Sequence, residues 1–249
     1  MNVVYILWLR QMKRYMRSRS RVLGAIGQPI LFLLALGYGL GSVFKRAGEG
    51  NYLQFLVPGI IAQTILFSAV FWGIQIIWDK QFGFLKETLV APVSRLKVMI
   101  GSALGGATIA TFQGILVLVI SFILGFRPTN WLLVPIGIVF MIVLSIALAC
   151  FGSGIASIVN DFQGFQAINQ FLIFPLYFLS GAIYPLNGIP VLLRVISEVN
   201  PLSYTIDGLR AVLTDIPAHF AIALDLGVLV VTALILIGFG VITFRRIQA

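Results

Sequence analysis

The sequence predicts an all-α polytopic membrane protein with six transmembrane helices, and three observations lead to this fold class. First, 59% of its 249 residues are hydrophobic and only 10% are charged, whereas a soluble domain is about half apolar and about a quarter charged. Second, six runs almost free of charged residues each reach the roughly 20 residues that an α-helix needs to cross about 30 Å of hydrocarbon. Third, these runs are continuously apolar, whereas the strands of a membrane barrel alternate between apolar and polar residues.

The six spans and their connections use the whole chain 1–249, which is therefore expected to form a single transmembrane domain. The run that begins at Val22 is long enough to span, and we interpret it as a retained helix rather than a cleaved signal peptide. The predicted spans are Val22–Val43, Phe55–Trp78, Val98–Phe126, Trp131–Val159, Phe165–Tyr184 and Phe220–Phe244.

The distribution of Lys and Arg predicts a multi-pass protein of the cell membrane with both termini in the cytoplasm. With the N-terminus inside, twelve of the 17 basic residues fall on the cytoplasmic side and five fall outside, as the positive-inside rule requires. The cytoplasmic twelve are Arg10, Lys13, Arg14, Arg17, Arg19, Arg21, Lys80, Lys86, Arg95, Lys97, Arg245 and Arg246. The outer five are Lys45, Arg46, Arg127, Arg194 and Arg210.

Residues 1–21 predict an N-terminal interfacial helix before the first span. Apolar side chains recur at helical spacing from Tyr5 to Met16, and the basic residues occupy the opposite side. Such a helix lies in the membrane interface with its basic face toward anionic headgroups. Two interpretations stay open here, a simple positive-inside anchor and a helix that also docks a partner.

The cytoplasmic connection 79–97 predicts a short amphipathic helix between the second and third spans. Phe82, Leu85 and Leu89 share one helical face, and Pro92 ends the helix at the preceding residue. A helix of this kind either rests on the membrane or docks into a cytosolic protein.

The outer connection 185–217 is too apolar for a solvated loop. A first short helix is expected to begin near Pro190, and Asn200–Pro201 separates it from a second helix over about Ser203–Leu213. Two short amphipathic helices on either side of a proline break are typical of a re-entrant segment in the outer leaflet. Backbone at that depth survives only against protein or a water-lined cavity.

Small residues recur at three-to-four spacing in the third and fourth spans, which predicts close helix packing rather than substrate contact. In the third span they are Gly101, Gly105, Gly106 and Gly114, with the amide residue Gln113 beside the last of them. In the fourth span they are Ser153, Gly154 and Ser157, followed by Asn160.

The sequence offers no catalytic, cofactor or metal site. The eight Asp and Glu residues fall in loops or at the ends of the predicted helices, which argues against proton-coupled transport and against intramembrane proteolysis. One Cys and one His do not make a metal site. Because the chain also lacks a G-x-x-x-x-G-K-[ST] loop, any ATP-driven function needs a second subunit. The net charge is +9, but most of the basic residues lie next to the predicted spans, where they face lipid headgroups. Nucleic acid is therefore not an expected partner.

Several segments resemble the membrane subunits of ATP-binding-cassette type-2 exporters, a family of daunorubicin-type drug exporters, nodulation-factor exporters and polysaccharide permeases. The stretch KETLVAPVSR (86–95) is similar to that family's loop after the second span. The stretches LSGAIYP (179–185), NPLSY (200–204) and DGLR (207–210) are similar to its outer segment. The pattern runs in order through nearly the whole chain. One departure is the DKQF sequence that opens the loop at Asp79, where relatives often carry an arginine nearer the glutamate.

The resemblance implies that two such chains pair, either as copies or as paralogues, and that each binds a cytosolic nucleotide-binding ATPase subunit. It also implies that 79–97 is the coupling loop, with the N-terminal helix beside it, and that the outer segment forms a re-entrant gate. The expected coupling residues are Phe82, Leu85, Glu87, Leu89 and Pro92. The expected outer-gate residues are Tyr184, Pro185, Asn200, Pro201, Tyr204, Asp207 and Arg210.

The predicted function is therefore that of the transmembrane subunit of an ATP-driven exporter, and not of an enzyme. Its substrate is expected to be amphipathic: a drug, a lipid or a lipid-linked glycan. ATP and Mg²⁺ would bind to the partner subunit, and no cofactor to this chain. The alternatives are an ATP-independent secondary transporter and a non-transporting membrane scaffold.

Overall fold

A computed structural model of the protein describes residues 3–46, 51–83, 93–186 and 189–247. Within these residues the backbone forms helices, turns and irregular segments, and no β-strand. Five helical runs are long and apolar enough to cross a membrane, which confirms the all-α polytopic fold. They are Val22–Arg46, Tyr52–Gln81, Arg95–Ile123, Trp131–Ile158 and Ile222–Arg245.

The N-terminal part consists of one amphipathic helix and the first span. Helix α1 covers Val3–Arg17, and α2 (Arg19–Phe32) begins directly after Ser18. The span continues as a wide π-helical turn over Leu33–Tyr38 and ends in α3 (Gly41–Arg46). The helix of the first span therefore begins at Arg19, three residues before the apolar run that starts at Val22.

The second span consists of α4 (Tyr52–Phe71) and α5 (Ile74–Gln81), which are joined at Trp72 and Gly73. The side-chain oxygen of Asn51 accepts a hydrogen bond of 3.0 Å from the Leu53 N–H and so caps the start of α4. Nearly all of α4 is buried among other helices. Its fully buried side chains are Leu56, Val57, Ile60, Ile61, Ala62, Ile65, Leu66, Ala69 and Val70.

The third and fourth spans form the centre of the bundle with α4. Helix α6 covers Arg95–Ile123, and α7 (Val134–Ile158) follows a single 3₁₀ turn over Trp131–Leu133. Helix α1 packs lengthwise along the first half of α6, where Trp8 Nε1 donates a hydrogen bond of 3.0 Å to the Thr108 hydroxyl. The interfacial position of α1 in the membrane stays a prediction.

The predicted fifth span is helical but shorter than expected. It consists of α8 (Phe162–Ile168), a π-helical turn over Asn169–Ile173 and α9 (Phe174–Phe178), which have 7, 5 and 5 residues. The chain then turns at Gly181, whose φ of +73° suits a residue without a Cβ. The count of six spans therefore stays a prediction.

The outer segment has the two helices that the proline break predicts. Helix α10 covers Val191–Val199, and α11 covers Pro201–Leu213, with Asn200 between them. Its second helix is largely buried in the bundle, whereas α10 leaves its apolar face exposed. The last span is α12 (Ile222–Arg245).

Close approach of α7 and α12 depends on small residues. A Cβ on Gly240 of α12 would lie 2.5 Å from the backbone oxygen of Cys150, and a Cβ on Gly154 would lie 2.8 Å from the Phe239 ring. On α6, a Cβ on Gly106 would lie 2.5 Å from Trp72. The glycines among the small residues of these spans serve helix packing as predicted, whereas Asn160 is exposed.

The predicted outer and cytoplasmic connections gather at opposite ends of the bundle. At one end, the Tyr38 hydroxyl donates a hydrogen bond of 2.7 Å to the backbone oxygen of Leu124. At the other, Lys80 Nζ donates one of 3.2 Å to the backbone oxygen of Val159. This arrangement agrees with the predicted alternation of the spans, and the placing of the termini in the cytoplasm stays a prediction.

Candidate functional site

A groove of about 520 Å³ is lined by residues of α1, α2, α4, α5, α6 and α9. Its volume falls in the range of roughly 300–1,000 Å³ that small-molecule sites occupy. The groove extends along the second span from Gln63, near the middle of that span, to Trp78, close to its predicted cytoplasmic end. Because its lining comes from several of the predicted spans, we take it as the candidate site for substrate contact.

Amide groups supply the polar part of the groove. Gln113 Nε2 donates a hydrogen bond of 2.8 Å to the Tyr15 hydroxyl, and Gln75 Nε2 donates one of 3.2 Å to Asp79 Oδ1. Each amide has two N–H donors and two acceptor lone pairs, so these bonds leave hydrogen-bonding capacity for a ligand. The glutamines in the lining are Gln28, Gln63, Gln75 and Gln113. Among the described lining residues, none carries a charge.

Aromatic side chains supply the apolar part of the groove. The ring centroid of Phe67 lies 4.8 Å from that of Phe174 and 6.1 Å from that of Phe71. Trp72 and Trp78 continue this surface toward the cytoplasmic end. Aromatic rings and uncharged amides together can hold an amphipathic molecule, with its apolar part on the rings and its polar group on the amides.

Two π-helical turns flank the groove. Pro29, inside α2, lines the groove and lacks the N–H that a regular α-helix needs, and the π turn at Leu33–Tyr38 follows one turn later. The second π turn, Asn169–Ile173, directly precedes Phe174 in the opposite part of the lining. Asn169 Nδ2 donates a hydrogen bond of 3.0 Å to the Phe165 backbone oxygen within that stretch. Such turns are rare in helices and are frequent at functional sites.

Asn200 ties the two outer helices to the fifth span. Its side-chain oxygen accepts a hydrogen bond of 3.0 Å from the Leu202 N–H and so caps α11, while its Nδ2 donates one of 2.7 Å to the Leu176 backbone oxygen. Pro201 occupies the first turn of α11, where a missing N–H leaves no bond unmade. These contacts fix the angle between α10 and α11.

Asp207 holds the backbone segment just before the last span. Its Oδ2 accepts hydrogen bonds of 2.8 Å and 2.9 Å from the backbone N–H groups of His219 and Phe220. The Phe220 ring stacks on Tyr204 with ring centroids 4.8 Å apart, and the Tyr204 hydroxyl donates a hydrogen bond of 2.7 Å to the Glu198 backbone oxygen. The outer segment and the start of α12 are thereby one connected unit.

Arg210 holds α11 against the second span and the turn after α9. Its guanidinium lies 4.0 Å from the centroid of the Phe55 ring, and its Nη2 donates a hydrogen bond of 3.2 Å to the Gly181 backbone oxygen. Burial lowers the pKa of Arg210 to about 10, and the Asp207 carboxylate opposes this effect. At neutral pH the group therefore keeps its charge.

The predicted outer-gate residues form one cluster and one separate turn. Five of them lie on α11 or at its N-terminal cap: Asn200, Pro201, Tyr204, Asp207 and Arg210. Tyr184 and Pro185 lie in the turn after α9 and are half-buried, and the same turn is joined to α4 by a hydrogen bond of 2.9 Å from the Tyr52 hydroxyl to the Ile183 backbone oxygen. Whether the cluster acts as a gate stays a prediction.

Of the predicted coupling residues, only Phe82 is described. It follows the last residue of α5 and is 83% exposed. Its backbone N–H donates a hydrogen bond of 2.9 Å to the Trp78 backbone oxygen. The other predicted coupling residues, Leu85, Glu87, Leu89 and Pro92, lie outside the described residues.

Sequence reasoning missed most of the groove. Of the four lining glutamines, only Gln113 is named among the small and amide residues of the spans, and Tyr15 carries no prediction of its own. The available signal is an amide within an otherwise apolar span, such as Gln63. Lys80 and Arg95 were counted only as cytoplasmic charges, although each contacts the end of another helix.

The sequence profile of the family described as "ABC-2 type transporter" matches residues 2–214. The chain belongs to this family. Inner membrane transport permease YadH of Escherichia coli K12 is 29% identical over 248 residues, which cover 97% of this chain and 93% of YadH. Nodulation protein J of Rhizobium leguminosarum bv. viciae is 26% identical over 226 residues, which cover 90% of this chain and 86% of that protein. The resemblance to type-2 membrane subunits is thereby confirmed, and the chain is a transport permease of this family.

Proposed function

We propose that this chain is the transmembrane subunit of an ATP-driven exporter that moves an amphipathic substrate out of the cytoplasm. The observation that carries the proposal is the groove, whose uncharged amides and aromatic rings extend from near the middle of the second span to its predicted cytoplasmic end. A groove of this shape gives a molecule from the cytoplasm or the inner leaflet a path toward the membrane centre.

The energy source in this proposal is a separate cytosolic ATPase subunit that binds ATP and Mg²⁺. Membership of an ABC transporter family supports such a partner, and the chain itself has no P-loop sequence. The partner would dock on the loop 79–97, with Phe82 as one of its anchors. Two permease chains, copies or paralogues, would complete the transporter.

The chemistry of the groove supports a substrate whose bound part is uncharged. A drug, a lipid or a lipid-linked glycan would place hydroxyl or amide groups on glutamines such as Gln63 and Gln113, and rings or alkyl chains on Phe67 and Trp72. A charged group has no counter-charge among the described lining residues, and an unpaired ion in a low-dielectric site is strongly disfavoured.

The test is reconstitution of the permease with the ATP-binding subunit that co-purifies with it, in liposomes that carry a fluorescent glycosyl diacylglycerol, whose headgroup is uncharged, or a lipid-linked disaccharide. ATP-dependent transport is expected with the complex and not with the permease alone. Gln63→Leu and Gln113→Leu should each raise the half-saturating substrate concentration by about three- to tenfold, because each removes a hydrogen bond worth roughly 0.5–1.5 kcal/mol.

Gln166→Leu is the matched control, since Gln166 lies on α8 outside the groove, and its half-saturating concentration should equal that of the wild type. Transport by the permease alone without ATP would contradict the proposal and favour a secondary transporter. A complex that forms with its ATPase but moves neither probe nor any other amphiphile offered would favour a scaffold.

A further inference from the structure

Lys80, in the last turn of α5, contacts the C-terminal end of another helix. Its Nζ donates hydrogen bonds of 2.8 Å to the Ser157 backbone oxygen and 3.2 Å to the Val159 backbone oxygen. Helix α7 ends at Ile158, so these oxygens belong to the carbonyls that have no partner within the helix. The ammonium group also offsets the partial negative charge at that end of α7.

Arg95, the first residue of α6, makes the same kind of contact with a different helix. Its Nη1 donates hydrogen bonds of 2.9 Å to the backbone oxygens of Arg245 and Ile247. Helix α12 ends at Arg245, and Ile247 is buried. Lys80 and Arg95 thus stand on either side of the chain segment 84–92, and each caps the C-terminal end of a helix outside its own span.

The two capped helices form one packed pair. Helices α7 and α12 run in the same direction. Near their starts, Phe140 of α7 and Asp225 of α12 both lie against Gly208, and further along both helices Gly154 lies against Gly240. Parallel packing brings the negative ends of both helix dipoles to the same side of the bundle, where they repel each other. A cation at each end reduces this repulsion and at the same time joins the pair to α5 and α6.

We infer that Lys80 and Arg95 are positioning residues that transmit movement of the coupling loop to the α7–α12 pair. The inference rests on the proposed function, because the movement originates in the ATPase subunit. A push on the loop would reach α5 and α6 through the chain itself. Through Lys80 and Arg95 it would also reach α7 and α12, so that the inner ends of four helices move together. Without the two caps, the movement would reach α7 and α12 only through the packing of side chains between the helices.

Two measurements test the inference: the first reports the contacts of Lys80 and Arg95, and the second reports their role in transport. Spin labels at Gln81 with Ile158, and at Lys97 with Arg246, report the two contacts in a Cys150→Ala background, since all four labelled positions are exposed. The native pairs should give narrow distance distributions. Lys80→Met should broaden the first distribution alone, and Arg95→Gln should broaden the second alone. Lys80→Arg and Arg95→Lys keep a cation and should restore the narrow distributions.

The second readout is substrate transported per ATP hydrolysed by the reconstituted complex, in variants without labels. Lys80→Met and Arg95→Gln should each lower this ratio by at least about tenfold, because each removes two hydrogen bonds from a charged donor. The ATPase subunit should still co-purify. The cation-preserving variants should regain most of the ratio. A purely structural cap would lower thermal stability and leave the ratio unchanged.

Unchanged distances in both loss-of-charge variants would overturn the inference, because the contacts would then not hold the helices. Broadened distances with an unchanged transport ratio would overturn it as well and leave the two residues as structural caps. If the wild-type complex shows no ATP-dependent transport, the proposed function fails and the transmission role with it, whereas the distances would still report the two contacts.

Discussion

Gln113 in the middle of α6 donates a hydrogen bond of 2.8 Å to the hydroxyl of Tyr15 in the last turn of α1. Both residues are buried, and both line the groove. The contact shows that the N-terminal helix is part of the wall of the candidate substrate site.

Substitutions of Tyr15 and Gln113 should each reduce stability, and their effects should not be additive. Tyr15→Phe leaves the Gln113 amide buried without its acceptor, which should lower the free energy of unfolding by about 1–3 kcal/mol. Gln113→Leu removes the donor, and in that background Tyr15→Phe should have little further effect. Thermal unfolding of the four proteins in detergent gives the coupling energy, and additive losses would contradict a direct interaction.

The close contact of α7 and α12 predicts that Gly240 does not tolerate even one methyl group. In Gly240→Ala the new Cβ would lie 2.5 Å from the Cys150 backbone oxygen, and the helices must separate at a cost of about 1–3 kcal/mol. Gly238→Ala is the matched control, because a Cβ there meets no atom of the described residues within 4 Å. The melting temperature should fall for the first variant only, and equal values would contradict the packing.

Asp207 should stabilise the backbone segment that leads into α12. Asp207→Ala leaves the N–H groups of His219 and Phe220 without their acceptor, which should lower the free energy of unfolding by about 2–4 kcal/mol. Asp207→Asn retains one acceptor oxygen and should lose less. The exposed Asp215 supplies a control, since Asp215→Ala should change stability by no more than about 0.5 kcal/mol. Similar losses in both alanine variants would rule out a stabilising role of the hydrogen bonds that Asp207 accepts.

The orientation can be tested by single-cysteine labelling in a Cys150→Ala background. Cysteine in place of Thr129 or Asp215 should react with an impermeant maleimide added to intact cells. Cysteine in place of Ser94 or Gln163 should react only after the membrane is opened. All four positions are exposed, so accessibility depends on the side of the membrane. Reaction at Ser94 in intact cells would reverse the assigned topology.

The coupling loop should depend on its apolar anchors more than on its charge. Phe82→Ala with Leu85→Ala should loosen docking of the ATPase by about ten- to a hundredfold, because burial of an anchor of this size contributes roughly 1.5–3 kcal/mol. Glu87→Ala should have a milder effect, since a charge at the rim contributes less. Pull-down of the ATPase subunit and its substrate-stimulated turnover measure both. Native values in the double variant would exclude this loop as the docking element.

The sequence predicted the position of the spans well because hydrocarbon accepts only long apolar runs. It also predicted the two outer helices, since Asn200–Pro201 combines a helix cap with a residue that cannot continue the preceding helix. The groove could not be predicted in the same way. A core position and a lipid-facing position are both apolar, so apart from the amide of Gln63 no residue of α4 indicates which side of the helix faces the groove.

The end-capping contacts of Lys80 and Arg95 escaped prediction for a related reason. In the sequence each is one more cytoplasmic cation, and its partner is a backbone oxygen roughly 80 or 150 residues away. Backbone acceptors carry no residue identity, and only the packing of α5 on α7 and of α6 on α12 brings them within reach.

The π turn at Asn169–Ile173 makes this part of the fifth span tolerant of a change in chain length. A π turn is an α-helical turn that accommodates one additional residue. Deletion of a single residue elsewhere in a span rotates everything beyond it by about 100° about the helix axis. Deletion here would convert the wide turn to a regular one and keep α8 and α9 in register with their neighbours. The chain that leads to Phe174 can therefore be one residue shorter while α8, α9 and the helices around them keep their packing.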